Sequence, residues 1–160
     1  MIDKAATEEI HAVLLSLHKD TLLLPKLAIV EVASREGLQT RPSAPAWFAG
    51  MLDWQGSQLP VIRFEGLGDR PLEEVGKRAL VAVLNGVGAG SPGGKFGLLC
   101  EGHPHLIKLN RGALAPLPKR AEDRPEFVVA RVSVSGNDAA IPNLQHIEQE
   151  LARVLESITV

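Results

Sequence analysis

The chain has 160 residues, with 17 Lys and Arg against 19 Asp and Glu, a formal net charge of −2, 45% hydrophobic residues and one cysteine. This is too apolar and too evenly charged for a disordered tail, lacks the basic excess that a nucleic-acid partner demands, and leaves no cysteines for a disulfide framework or a four-cysteine zinc site. No uncharged apolar run of about 18 residues exists, so no membrane insertion is expected, and the acidic start (Asp3, Glu8, Glu9) is unlike a signal peptide; the expectation is one globular cytoplasmic domain.

In chain order, His11–Leu17 (HAVLLSL) predicts a strand, Lys19-Asp20 a tight turn, and Thr21–Leu24 the return strand, stopped by Pro25. Leu27–Ala33 (LAIVEVA) is rich in β-branched residues and carries Glu31 within it. Pro42 and Pro45 break the chain before Trp47. Met51–Trp54 predicts a short strand, Gln55-Gly56-Ser57 a hairpin turn, and Leu59–Phe64 its partner. Pro60 lies near the start of that partner, where a missing N–H disturbs a ladder least. The polar stretch from Glu65 to Gly76 reads as a connection between two lobes.

Arg78–Leu84 and Phe96–Glu101 predict strands on either side of a Gly-rich loop, Asn85–Lys95. Leu106–Leu109 predicts another strand, and Arg111–Glu126, with three prolines, a long loop. Phe127–Ser135 and Ala139–Ile141 form a hairpin around Gly136-Asn137-Asp138. Asn143 is a good N-cap. After it, Leu144, Ile147, Leu151, Val154, Leu155 and Ile158 fall at helical spacing, one apolar stripe for a core. About eight to ten short strands and one C-terminal helix make a mainly β protein, built as small barrels or a sandwich.

Few residue patterns carry chemistry. Gly88-Ala89-Gly90-Ser91-Pro92-Gly93 fits G-x-G-x-x-G, but no helix opens after it, and Phe96 follows Lys95 where a phosphate loop needs Ser or Thr. Cys100, His103 and His105 offer a thiolate and two imidazoles for zinc, although Pro104 disturbs the strand they need. A small metal- or ligand-binding barrel is therefore the alternative reading. There is no G-x-S-x-G elbow and no acid–base pair that position alone would support, so the chain reads as no enzyme. Period-2 alternation puts Glu31 on one face with Ile29 and Ala33, which suits either a solvated strand position or the rim of a protein contact. Trp47 and Trp54, on either side of Gly50, suit a core or an interface anchor.

This stretch resembles the CheW-like family of chemosensory adaptors. The residues that carry the resemblance are Ile29-Val30-Glu31-Val32, then Pro42 and Pro45, then Trp47-Phe48-Ala49-Gly50-Met51-Leu52-Asp53-Trp54-Gln55-Gly56, then Leu59-Pro60-Val61-Ile62. A looser likeness runs on through Leu80–Val83, Gly97–Glu101, Pro116, Pro118 and Phe127–Val132, so that about residues 12 to 158 are covered. The resemblance implies a single CheW-like domain over residues 1–160, made of two small five-stranded SH3-like β-barrels packed on a shared core. The first lobe would span about residues 12–65, the second about 78–142, and the C-terminal helix 143–158.

It further implies a non-catalytic, cofactor-free scaffold that couples the cytoplasmic tip of a chemoreceptor to a CheA-type histidine kinase. Ile29, Glu31, Gly50, Gln55 and Gly56 would mark its partner-binding surface. One departure stands out. The family's Arg before the turn glycine, which pairs with the strand Glu, is Gln55 here, and Asp53 stands where the family tends to have Asn. A buried Glu31 without a cation would cost several kcal/mol. Either Glu31 is exposed, then, or another cation such as Arg63 reaches it. The pattern suggests a divergent member, of the kind attached to type IV pilus chemosensory systems.

Overall fold

The computed structural model describes residues 9–86 and 94–158, apart from the side chain of residue 111. The pattern at Gly88–Gly93 lies outside the described residues. The strands are β1 (Ile10–Ser16), β2 (Thr21–Pro25), β3 (Ile29–Ala33), β4 (Phe48–Trp54), β5 (Ser57–Ile62), β6 (Ala79–Asn85), β7 (Lys95–Glu101), β8 (His105–Leu109), β9 (Ala115–Leu117), β10 (Val128–Val134) and β11 (Asn137–Pro142). One helix, α1 (Leu144–Ile158), follows them. Asn143 caps it as expected, its Oδ1 accepting the His146 backbone N–H at 3.1 Å.

Two sheets result. The first has the strand order β8-β1-β2-β11-β10-β9 and the second β3-β6-β7-β5-β4. Both bury both faces, which is why their central strands read as continuous apolar runs rather than alternating ones. In β1 and β2, Ala12, Leu14 and Leu23 fill the first sheet's own core, while Leu15, Leu22 and Leu24 face a core shared with the second sheet. In β6 and β7, Val81, Val83 and Leu99 fill the second sheet's own core, and Ala82, Leu84, Phe96 and Leu98 face the shared one. The apolar stripe of α1, through Ile147, Leu151, Val154 and Leu155, completes the shared core.

The sheets do not follow chain order: β1 and β2, within the first expected lobe of about residues 12–65, pair with β8 and β11 and not with β3 to β5. A single 3-10 turn at Lys26–Ala28 carries the chain from one sheet to the other. That turn also shortens the predicted Leu27–Ala33 strand to Ile29–Ala33. The mainly β class with two β units and one C-terminal helix is as expected, with six strands in one sheet and five in the other. Among the described strands, no ladder joins β3 to β4 or β8 to β9.

Prolines sit where the missing N–H is harmless. The parallel ladder of β5 with β7 begins at Val61, one residue after Pro60. Pro116 lies on β9, an edge strand inside the segment that reads as a loop.

Candidate partner-binding surface

Glu31 and Trp54 stand on β3 and β4, the two edges of the five-stranded sheet. The sheet curls around its own core until those edges approach, and the Trp54 indole N–H donates to the Glu31 carboxylate. A side-chain hydrogen bond thus spans a seam that the backbone leaves open. Trp54 packs its ring against the core inside the curl, while Glu31 is exposed. Arg63 does not serve Glu31: its Nη1 donates to the Glu73 carbonyl oxygen at 2.7 Å. The indole is a neutral donor, and among the described residues no ion pair is made by Glu31.

The expected face of Ile29, Glu31 and Ala33 is broken by a β-bulge. Ile29 lies opposite Leu84, Glu31 opposite Val83, and Val30 is the extra residue between them. Leu84 belongs to the shared core and Val83 to the sheet's own core. Ile29 therefore turns inward against the shared core, away from Glu31, and is no surface partner of it. Glu31 and Ala33 remain on one side. In place of Ile29 the surface gains Val30 and Leu27, the latter 85% exposed on the preceding turn.

A second bulge lies in β4, between Phe48 and Gly50. Gly50 has φ of +144°, and a Cβ there would collide with the Gln39 carbonyl, whose carbon would be 2.8 Å away. Gln39 and Met51 exchange two backbone hydrogen bonds of 2.9 Å, so the segment before β4 lies directly on the strand at this point. Gly50 therefore acts through the backbone. Gln55 and Gly56, with φ of +50° and +79°, form the two-residue hairpin turn between β4 and β5, both exposed. Of the five expected residues, the structure brings Glu31, Gln55 and Gly56 to one end of the seam through Trp54. Gly50 sits further along β4, and Ile29 is on the opposite face.

Beside β4 runs a groove of about 520 Å3, lined by Leu38, Ala49, Val75 and Leu99 together with Arg35 and Arg63. Trp47, by contrast, is buried in the shared core.

The metal reading fails on geometry. Cys100 is buried in the shared core, and burial pushes its thiol up to about 11, so it stays protonated near neutral pH and is a poor metal ligand. His103 and His105 are exposed, the latter on a strand of the other sheet. Among the described residues no group of three or more His, Cys, Asp or Glu is placed to hold a metal ion.

Sequence reasoning missed the largest charged group inside the protein. Arg131, on β10, is buried and forks onto Asp123, with Nε to Oδ2 at 2.7 Å and Nη2 to Oδ1 at 2.8 Å. It also holds Asp20 of the β1–β2 turn, with Nη1 to Oδ1 at 2.9 Å and Nη2 to Oδ2 at 2.7 Å. Hydrogen bonds from Arg131 hold the Asp123 carboxyl below its ordinary value against the opposing effect of burial. An arginine within an otherwise apolar strand run was the available signal.

Comparison with known proteins places these observations in context. Residues 11–151 match the family described as the CheW-like domain. Comparison with curated proteins finds no significant match. Among solved structures, the chain is similar to the scaffolding protein TtCheW from Thermoanaerobacter tengcongensis, at 20% sequence identity and a TM-score of 0.66, with 86% of each chain covered. No described helix is long and apolar enough to cross a membrane.

Proposed function

Because this chain belongs to the CheW-like domain family, we propose that it is a non-catalytic scaffold that couples the cytoplasmic tip of a chemoreceptor to a CheA-type histidine kinase in the cytoplasm. The observation that carries this reading is the exposed seam where Glu31 meets Trp54, with Leu27 and Val30 beside it. Exposed apolar side chains beside a carboxylate suit the apolar face and polar edge of a helical hairpin. Gln55 and Gly56 present the adjoining turn, and Gly50 shapes the strand beneath. The loss of the arginine at Gln55 and the presence of Asp53 support a divergent member serving an accessory pathway, such as type IV pilus motility.

Pull-down with a receptor signalling tip and with the regulatory domain of a CheA-type kinase tests the proposal. Binding to at least one is expected, and binding to neither at concentrations on the order of tens of micromolar counts against a scaffold role. Glu31→Ala should weaken receptor capture about five- to tenfold if the seam is the docking rim. Gln55→Arg should be tolerated and should strengthen it, because it returns a cation to the vicinity of Glu31. Equal capture by wild type and both variants would move the docking surface elsewhere.

A further inference from the structure

The two sheets meet along a polar contact as well as an apolar core. The β1–β2 turn of the first sheet carries His18 and Lys19 against the second sheet and the connection between β5 and β6. His18 Nδ1 lies 2.8 Å from Glu101 Oε1 at the end of β7, and its Nε2 lies 2.9 Å from Glu73 Oε2 in that connection. Glu65, in the 3-10 turn after β5, accepts the backbone N–H groups of His18 at 3.0 Å and Lys19 at 2.7 Å. Lys19 Nζ pairs with Glu73 as well. Gly76 makes the close approach possible, since a Cβ there would run into the Glu101 carboxylate. Three parts of one sheet's chain thus converge on a single turn of the other.

An imidazole with a carboxylate at each nitrogen must donate two hydrogen bonds, and only the imidazolium has two N–H groups. A neutral ring leaves one nitrogen lone pair facing a carboxylate oxygen. We propose that His18 is a proton-operated clamp between the two sheets. Protonated, it holds both Glu73 and Glu101 against the β1–β2 turn. On losing the proton it lets go of one of them and loosens the 67–78 connection.

The charged groups around the ring are Glu101 from β7, Glu73 from the connection, Glu65 from the 3-10 turn, and Lys19 from its own turn, the last countered by Glu73. Arg63 lies on the far side of Glu73, bonded to its carbonyl oxygen. The hydrogen bond to Glu101, then that to Glu73, raises His18 above its ordinary value of 6.5. A folded-state value above the unfolded one means the clamp's contribution is complete below about 6.5 and is lost as the pH rises through the folded value. The device therefore works on the alkaline side of 6.5 and not in acid.

An NMR titration of the full chain between about pH 5.5 and 9 tests this, following the His18 ring and the backbone amides of residues 71–77. The expected result is a His18 midpoint above 6.5, with the amides of Glu73 and Gly76 shifting at the same midpoint. Glu101→Gln and Glu73→Gln should each lower the His18 midpoint relative to the wild type. His18→Gln should abolish the amide shifts. A midpoint at or below 6.5, amides that stay still through the His18 titration, or amide shifts that persist in His18→Gln would overturn the clamp. The titration needs neither receptor nor kinase, so its failure leaves the scaffold reading untouched, and failure of the pull-down leaves the clamp untouched.

Discussion

At Gly50 a single missing methyl group decides how two chain segments pack. Its φ of +144° is open to glycine almost alone, and the Gln39 carbonyl occupies the space that a Cβ would need. Gly50→Ala is expected to destabilise the protein by roughly 3 kcal/mol, combining backbone strain with a clash against a main-chain atom that cannot rotate away. Urea unfolding measures it, and a loss under about 0.5 kcal/mol, the range of ordinary surface changes, would show that the segment before β4 yields freely. Glu31 shows a different kind of residue effect. Its carboxylate accepts from an indole 23 positions along the chain. That contact was not legible in the sequence, because nothing local links Trp54 to Glu31; they meet only when the two edges of a curled sheet approach.

At the scale of elements, the sequence was most legible where one local rule dominates. The β4–β5 hairpin follows from a turn whose two residues both need positive φ, and the helix from its apolar spacing and its cap. Asn143→Ala should cost about 1 kcal/mol, since it removes the acceptor for the His146 N–H at an end of the helix where backbone donors lack partners. Thermal unfolding monitored by circular dichroism reads that change, and rescue by Asp or Ser at this position would assign it to capping. Less legible were the bulges. The run Ile29-Val30-Glu31-Val32 promises strict alternation, and one extra residue at Val30 sends Ile29 to the other side of the sheet. A bulge depends on how the facing strand, β6, fits two cores at once, so no count of apolar positions within β3 reveals it.

Across the whole molecule, the β1–β2 turn is the point where both sheets are tied. Asp20 binds Arg131 within the first sheet, while His18 reaches the second. Arg131→Met should cost about 3–5 kcal/mol, because it removes the guanidinium that both the Asp123 and Asp20 carboxylates accept from, leaving only the more distant Arg120 side chain, 3.9 Å from Asp20. The pH dependence has a definite sign. The Asp123 pKa is lowered in the folded protein by the hydrogen bonds from Arg131, so its contribution is present above the unfolded value of about 3.8 and is lost as the pH falls through the folded one. In Arg131→Met the acid limb of the stability profile should become shallower than in the wild type, because without those hydrogen bonds burial alone acts on the Asp123 carboxyl and favours its protonated form. Urea midpoints collected from pH 3 to 7 compare the two, and superimposable acid limbs would remove Arg131 as the cause.

The sequence by itself determined the kind of protein this is: mainly β, with short strands set off by glycine and proline, one capped C-terminal helix, and family motifs around Glu31 and Gly50. Those features depend on periodicity, turn chemistry and local backbone limits, all of which are written in neighbouring residues. Only the tertiary structure decided which strands share a sheet, that Ile29 faces inward, that Trp54 serves Glu31, and that Cys100 lies apart from His103 and His105. Each of these depends on residues far apart in the chain. The β1–β2 hairpin pairs with β8 and β11 and not with β3, the next strand in the chain, and in that place Leu15, Leu22 and Leu24 bury their apolar surface in the core shared with the second sheet.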